Sequence, residues 1–195
     1  MKREIEIRGV GGQGVILAAH TIGEACIKAG VHVVIGEIHG MSQRGGSVLC
    51  TVRLGDVRGA QTKRIDCLTS LEAMESLRSY GKLDSNSFAV INNRLIPTFS
   101  MSQGKEKQLT IEEVRTRIAQ KTSRICMLDA TSLAERSGSV LTENIVMLGA
   151  MSCTGVLPFG EDILKETISE NVPKKYVEEN LRAFELGKEA FSKHY

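Results

Sequence analysis

Tryptophan is absent from this 195-residue chain, and the aromatic content is only 4%. Few rings, a formal net charge of +2 and scattered Lys and Arg give no basic stripe with stacking platforms, so nucleic acid is not expected as a partner. The one dibasic pair near the end, Lys174-Lys175, is diluted by Glu178 and Glu179. No run approaches the ~20 apolar residues of a membrane span. Met1-Lys2-Arg3 leads into strand-like residues rather than a signal-peptide core, so a cytoplasmic protein without a membrane partner is expected. Five cysteines are present (Cys26, Cys50, Cys67, Cys126, Cys153), and none stands in a C-x-x-C pair. Their odd number and apolar neighbours suggest reduced, mostly buried thiols, with no obvious iron–sulfur or zinc site. No nucleophile–base pair, metal-ligand cluster or P-loop lysine emerges.

The length suits one domain spanning 1–195, able to bury roughly 70% of its unfolded surface. Helical and strand patterns alternate, which argues an α/β fold with a largely parallel sheet. Ile5-Glu6-Ile7 begins it. Val15, Ala18, Ile22, Cys26 and Ala29 recur at helical spacing, opposite a polar stripe of His20, Glu24 and Lys28, and Gly30 ends the helix. Residues 31–38 are apolar and β-branched enough for a sheet interior. Residues 47–54 read as a strand, and 55–59 as a turn into a second, edge-like run. No helix fits between Gly46 and Cys67, so part of the sheet is expected to be antiparallel. Further strands are expected at 65–68, 88–92 and 125–129, and helices at 71–77, 111–120, 142–153 and from near Pro173 to about Phe191. Residues 92–110 form a connector long enough to be functional or mobile.

Two glycine-rich turns follow two strand-like runs: Gly9-Val10-Gly11-Gly12-Gln13-Gly14, and His39-Gly40-Met41-Ser42-Gln43-Arg44-Gly45-Gly46-Ser47. Glycine lets backbone N–H groups approach an anion without a side chain between them. At the ends of neighbouring strands the two turns would line one crevice, where open α/β sheets bind ligands. The first matches G-x-G-x-x-G, and Glu37 lies near the place of a ribose-binding acid. A dinucleotide site, another anion site and a ligandless turn all remain open. Against the dinucleotide, no crossover helix follows the second strand and no catalytic donor–acceptor pair appears downstream. Arg44 could present its fork to a phosphate or carboxylate, or pair with Glu37. His39 could act as acid or base, or cap backbone groups. Asp129, at a strand's carboxyl end, could meet a ligand or cap the next helix, and capping is favoured. The residues alone describe a ligand-binding surface without a complete catalytic apparatus.

These motifs, together with Asn144-Ile-Val-Met-Leu-Gly149 and Asn180-Leu-Arg-Ala-Phe-Glu-Leu-Gly187, resemble the gamma domain of 2-oxoacid:ferredoxin oxidoreductases. The long second motif, with His39, Met41 and Gln43 around Arg44, is most similar to the beta subunit of the indolepyruvate enzymes. The resemblance implies a three-layer α/β sandwich around a mostly parallel, mixed sheet with an antiparallel β-ribbon. It implies a subunit without cofactors of its own, whose large alpha partner carries thiamine diphosphate and iron–sulfur clusters, passes electrons to ferredoxin and forms an acyl-CoA from an arylpyruvate. Isolated, the chain would be free to pair with a second copy through the surface its partner covers. Gly11, Gly12, Gln13, Gly14, His39, Ser42, Gln43, Arg44, Gly45 and Gly46 are the expected ligand- or partner-binding residues. They would face the thiamine site or CoA at the subunit junction, or simply dock the alpha subunit.

Overall fold

A computed structural model of the chain describes residues 2–40, 45–97 and 108–194. Strand β1 (Lys2–Val10) leads into helix α1 (Val15–Lys28), followed by β2 (Val33–His39), β3 (Ser47–Gly55) and β4 (Cys67–Ser70). Helix α2 (Ala73–Ser76) runs into a 3-10 turn over Leu77–Lys82, then β5 (Phe88–Asn92), α3 (Ile111–Ala119), β6 (Ile125–Leu128) and α4 (Ala130–Ser137). Three helices close the described chain: α5 (Glu143–Ser152), α6 (Glu161–Asn171) and α7 (Val177–Ser192).

The strands form one sheet in the order β2-β3-β1-β4-β5-β6. β1, β4, β5 and β6 pair in parallel, with Ile5 opposite Cys67, Leu68 opposite Ala89 and Val90 opposite Cys126. β3 is antiparallel to both neighbours, Glu6 facing Thr51 and Ile35 facing Val52. The connection from β2 to β3 is too short for a crossover, so the chain returns as a hairpin and only β3 opposes the common direction. The expected mixed, mostly parallel sheet is therefore present.

Alternation along β1 separates two environments. Ile5 and Ile7 point into a core shared with Ile22, Val52, Val90, Met147 and Phe184, beneath α1 and α4–α7. A second core on the other face, with Leu68, Ile91, Val114, Ile118 and Met127, lies under α2 and α3. Next to it, β1 presents Glu6 and Arg8 instead of apolar residues. Glu6 is fully buried and accepts from Ser79 Oγ (2.5 Å), Thr62 Oγ1 (2.9 Å), Arg8 Nε (3.3 Å) and Lys82 Nζ. Burial pushes its carboxyl up, but Lys82, Ser79 and Arg8 outweigh it and hold the pKa below the ordinary carboxylate value.

Several expectations shift. β2 lies at the sheet's edge, not its interior, and Ile38 is 65% exposed. β1 and β2 are separated by β3, so the two glycine turns do not follow adjacent strands. The run after residues 55–59 forms no strand. Side chains of the sheet take its carbonyls: Thr51 Oγ1 donates to Ala60 O (2.8 Å) and Arg53 to Gly59 O. The expected strand at 65–68 begins instead at Cys67, because Ile65 N donates to Lys82 O (3.1 Å) and Asp66 N to Glu4 O (2.7 Å). The helix expected at 71–77 is one α turn capped by Glu72, whose side chain accepts from Glu75 N. Helix α6 was not foreseen, although Glu161 and Asp162 open it and Leu164, Thr167 and Ile168 bury one face. Pro173 precedes a 3-10 turn, and α7 buries Asn180, Ala183, Phe184, Gly187 and Phe191, leaving Val177 and Leu181 half-buried. Asp129 caps α4, its Oδ1 accepting from Ser132 N (2.9 Å). Of the long connector, residues 98–107 lie outside the described residues.

Helices α5 and α7 cross at glycines. A Cβ on Gly187 would lie 1.9 Å from Val146 O, and one on Gly149 2.1 Å from Phe184 O. Both obstacles are backbone, so no rotamer relieves them. Gly187→Ala is therefore expected to lower stability by about 3 kcal/mol, read as a reduced urea midpoint. Gly81→Ala, where nothing lies within 4 Å, should leave the midpoint in place. Glu6→Gln deprives Arg8 and Lys82 of their shared counter-charge and should cost about 3 kcal/mol at neutral pH. Because the folded pKa of Glu6 is depressed, that contribution is present above the ordinary carboxylate pKa and lost as pH falls through the depressed value. The gap between wild-type and variant midpoints should therefore close in acid; a constant gap would contradict this assignment.

Candidate functional site

The carboxyl end of β1 turns tightly before α1. Gln13 N donates to Val10 O (3.2 Å), and Gly12 and Gly14 take φ of +102° and +77°. Gly14 is required twice over. Its backbone is left-handed, and a Cβ there would lie 2.8 Å from Asn144 Nδ2. The Gly14 carbonyl accepts from Ala18 N (3.0 Å) and Asn144 Nδ2 (3.4 Å), which ties the start of α1 to α5.

Gln13 braces this turn from inside. Its Oε1 accepts from Val10 N (2.9 Å), while its Nε2 donates to Leu71 O (2.8 Å) and Glu143 Oε1 (3.1 Å). The Glu143 carboxylate, 4% exposed, also accepts from Asn92 Nδ2 (2.7 Å) and Arg94 Nη1 (2.6 Å). Asn92 Oδ1 takes Ala130 N (3.0 Å) at the start of α4. Burial pushes the Glu143 carboxyl pKa up, against the opposing pull of Arg94, Asn92 and Gln13. The expectation that Gln13 offers directed hydrogen bonds to a ligand is corrected: both ends of its amide are engaged within the fold.

On the other side of the turn lies a crevice of about 350 Å³, walled by Gly11, Gly12, Gly14, Ile16, His39 and Gly40. Gly11 N donates to Gly46 O (2.8 Å), so the two glycine turns are joined directly. That bond removes the Gly11 N–H from the ligand donors expected there. The N–H groups of Gly12, Gly14, Val15 and Ile16 have no acceptor among the described residues. They aim the positive end of α1 into this space. His39 is half-exposed at the rim, its Nε2 3.3 Å from Glu37 Oε2; the other Glu37 oxygen meets His20 Nε2 at 2.6 Å. Glu37, the candidate ribose acid, is thus held between two histidines.

The structure gathers Gly11, Gly12, Gly14 and His39 at this crevice, ties Gly46 to Gly11, leaves Gly45 outside the lining residues and turns Gln13 away from it. Ser42, Gln43 and Arg44, including the suggested Arg44–Glu37 pair, lie outside the described residues. Sequence reasoning missed Glu143, Asn92 and Arg94 as the support of the turn. Asn92, a polar residue ending an apolar strand, was the available signal.

Four of the five cysteines, Cys26, Cys50, Cys67 and Cys126, are buried, and Cys153 is half-buried. Burial pushes the thiols of Cys26, Cys50, Cys67 and Cys126 up to about 12, and that of Cys153 upward as well. Among the described residues no three His, Cys, Asp or Glu side chains gather as metal ligands.

Gln13→Ala should strip Val10 N–H, Leu71 C=O and Glu143 of a partner together, lowering stability by about 2 kcal/mol. Glu143→Gln should act on the pH profile. Its raised folded pKa means that wild-type stability falls as pH rises from the ordinary carboxylate value through the raised one. The variant should lose that decline, and an unchanged profile would count against the assignment.

Comparison with known proteins places this geometry. Residues 4–190 match the family described as pyruvate ferredoxin/flavodoxin oxidoreductase. The indolepyruvate oxidoreductase subunit IorB of Thermococcus kodakarensis is 40% identical over 190 residues, covering 95% of this chain and 94% of the relative. Its counterpart in Archaeoglobus fulgidus is 36% identical, covering 96% and 94%. The crystal structure of a keto/oxoacid ferredoxin oxidoreductase gamma subunit from Geobacter sulfurreducens superposes with a TM-score of 0.72 at 25% identity, covering 99% of this chain and 98% of that one. The chain belongs to the pyruvate ferredoxin/flavodoxin oxidoreductase family, and its fold is that of the family's gamma subunits.

Proposed function

We propose that this chain is the non-cofactor subunit of an indolepyruvate, or more broadly arylpyruvate, ferredoxin oxidoreductase. The carrying observation is the 40% identity to an indolepyruvate oxidoreductase subunit across nearly the full length of both chains. Relatives named for 2-oxoglutarate and pyruvate/ketoisovalerate enzymes reach only 26–28%. The partner is a large alpha subunit in which thiamine diphosphate and iron–sulfur clusters supply decarboxylation and electron transfer to ferredoxin.

The role of this chain is to complete the junction. The crevice offers the N–H groups of Gly12, Gly14, Val15 and Ile16, which have no acceptor among the described residues, to an anionic group, with CoA the candidate ligand. Around it lies surface suited to a subunit contact: Leu17, beside Ile16, is 49% exposed, and Ile38, beside His39, 65%. β2 leaves an apolar strand at the sheet's edge, which folded proteins ordinarily cover or charge. A stand-alone dinucleotide enzyme is disfavoured, because β3 follows β2 where the crossover helix would stand and Glu37 is already engaged.

The test is co-purification. The tagged chain, recovered anoxically from its native host, should bring down a large partner with iron, thiamine diphosphate and CoA-dependent dye reduction by indolepyruvate or phenylpyruvate. A colourless chain recovered alone, without 2-oxoacid activity, would refute the proposal. Activity on pyruvate or 2-oxoglutarate alone would move it to the sister enzymes. In the assembled complex, Arg44→Ala should raise the KM for CoA or 2-oxoacid; unchanged kinetics would remove Arg44 from the site, and failed assembly would make the turns a docking element only.

A further inference from the structure

At the far end of the sheet from the glycine turns, the amino ends of β1, β4, β5 and β6 border a groove of two adjoining concavities, about 440 and 350 Å³. The two share Arg3, Arg64 and Asp66. Lys2, Arg53 and Lys63 add positive charge to the larger one, and Arg124 to the smaller. Among the described residues the only acids lining them are Glu4 and Asp66, and both are already paired. Glu4 is paired with Lys2 and with Arg53 Nη2 (2.8 Å). Asp66 Oδ2 accepts from Glu4 N (2.8 Å), and its Oδ1 lies 3.4 Å from Arg64 Nη1.

Two details indicate that something is expected in this groove. The Nε atoms of Arg3 and Arg53 are buried and find no acceptor among the described residues. A buried donor left unpaired is unusual in a folded protein and points to a missing acceptor. Arg3 and Lys63 also form no ion pair with any described residue. The other cations are held in place: Arg53 by Glu4 and Gly59 O, Arg64 by Asp84 and Asp66, and Arg124 5.2 Å over the Phe88 ring with Nη1 on Asn86 O (3.3 Å). Fixed guanidinium forks lose little freedom on meeting a bidentate anion.

The charge excess indicates a multiply charged ligand, because one carboxylate would neutralise a single cation. The scale is that of a small molecule. A protein surface is disfavoured, because none of the large exposed apolar side chains borders this groove. We propose that this groove is a binding site for a small molecule carrying a diphosphate or two closely spaced phosphate groups, with Arg3 bridging the two concavities.

Inorganic pyrophosphate is the probe, titrated calorimetrically into the full chain at low and raised salt. One saturable site is expected, weakened by salt, with orthophosphate at least about tenfold weaker. Arg3→Gln should weaken pyrophosphate binding by at least about tenfold without moving the ligand-free melting temperature. Lys63→Gln, at an exposed position that cannot compromise folding, should weaken it severalfold. No saturable heat at millimolar pyrophosphate would overturn the proposal. So would undiminished binding in both variants, which would place the anion at the glycine turn. An acidic octapeptide binding more tightly than pyrophosphate would overturn it in favour of a protein surface.

Discussion

Glu143 is a carboxylate removed almost wholly from water at the first turn of α5, and it can remain there only because three side chains donate to it. Gln13 comes from the β1–α1 turn, Asn92 from the end of β5, and Arg94 from the start of the connector. The same donors reach further. Gln13 and Asn92 both also donate to Leu71 O, and Asn92 accepts from the first amide of α4. The carboxyl edge of the sheet is therefore one connected polar network rather than a row of independent loops. The glycine turn owes its shape to this network: with Gln13 held inward, the N–H groups of Gly12 and Gly14 are left facing the crevice.

Placing Glu143 requires placing α5, and that is the work of the glycine crossing with α7. At Gly149 and Gly187 each helix meets the other's carbonyl oxygen with no side chain between. Every residue of α5 from Glu143 to Met151 is buried, so the helix has no polar face by which it could slide or rotate at low cost. Asn144, one residue beyond Glu143, then reaches the Gly14 carbonyl. The two later motifs thus hold the first motif in position, although more than a hundred residues separate them.

This explains which parts could be read from the sequence. The strands at 88–92 and 125–129, the antiparallel part of the sheet and the buried helix near 142–153 were legible because each depends on local periodicity or on the lack of a crossover helix. The second run expected after residues 55–59 forms no strand, and the antiparallel pairing comes from the β2–β3 hairpin instead. The edge position of β2 was not legible, because an apolar strand that awaits a partner has the composition of one buried in its own sheet. Gln13 was misassigned for a related reason. A glutamine between glycines has the same sequence signature whether its amide faces a ligand or Leu71 and Glu143, and only the position of α5 decides. Helix α6 was missed although its acidic first turn and its 164–167–168 spacing were visible.

The two ends of the sheet solve opposite electrostatic problems with the same sheet directionality. At the carboxyl end, the acid Glu143 is buried and fully partnered, and backbone N–H groups face open space. At the amino end, Glu4 and Asp66 are partnered and guanidinium groups remain over. Between them, Glu6 sits in mid-sheet with Arg8, Ser79, Thr62 and Lys82, so that the charges of β1 on this face are balanced in the middle. A chain selected only to fold would gain little from buried donors without acceptors. Such donors at the amino end, unpaired backbone N–H groups at the carboxyl end and the apolar edge of β2 are the features expected of a protein that works as one part of an assembly.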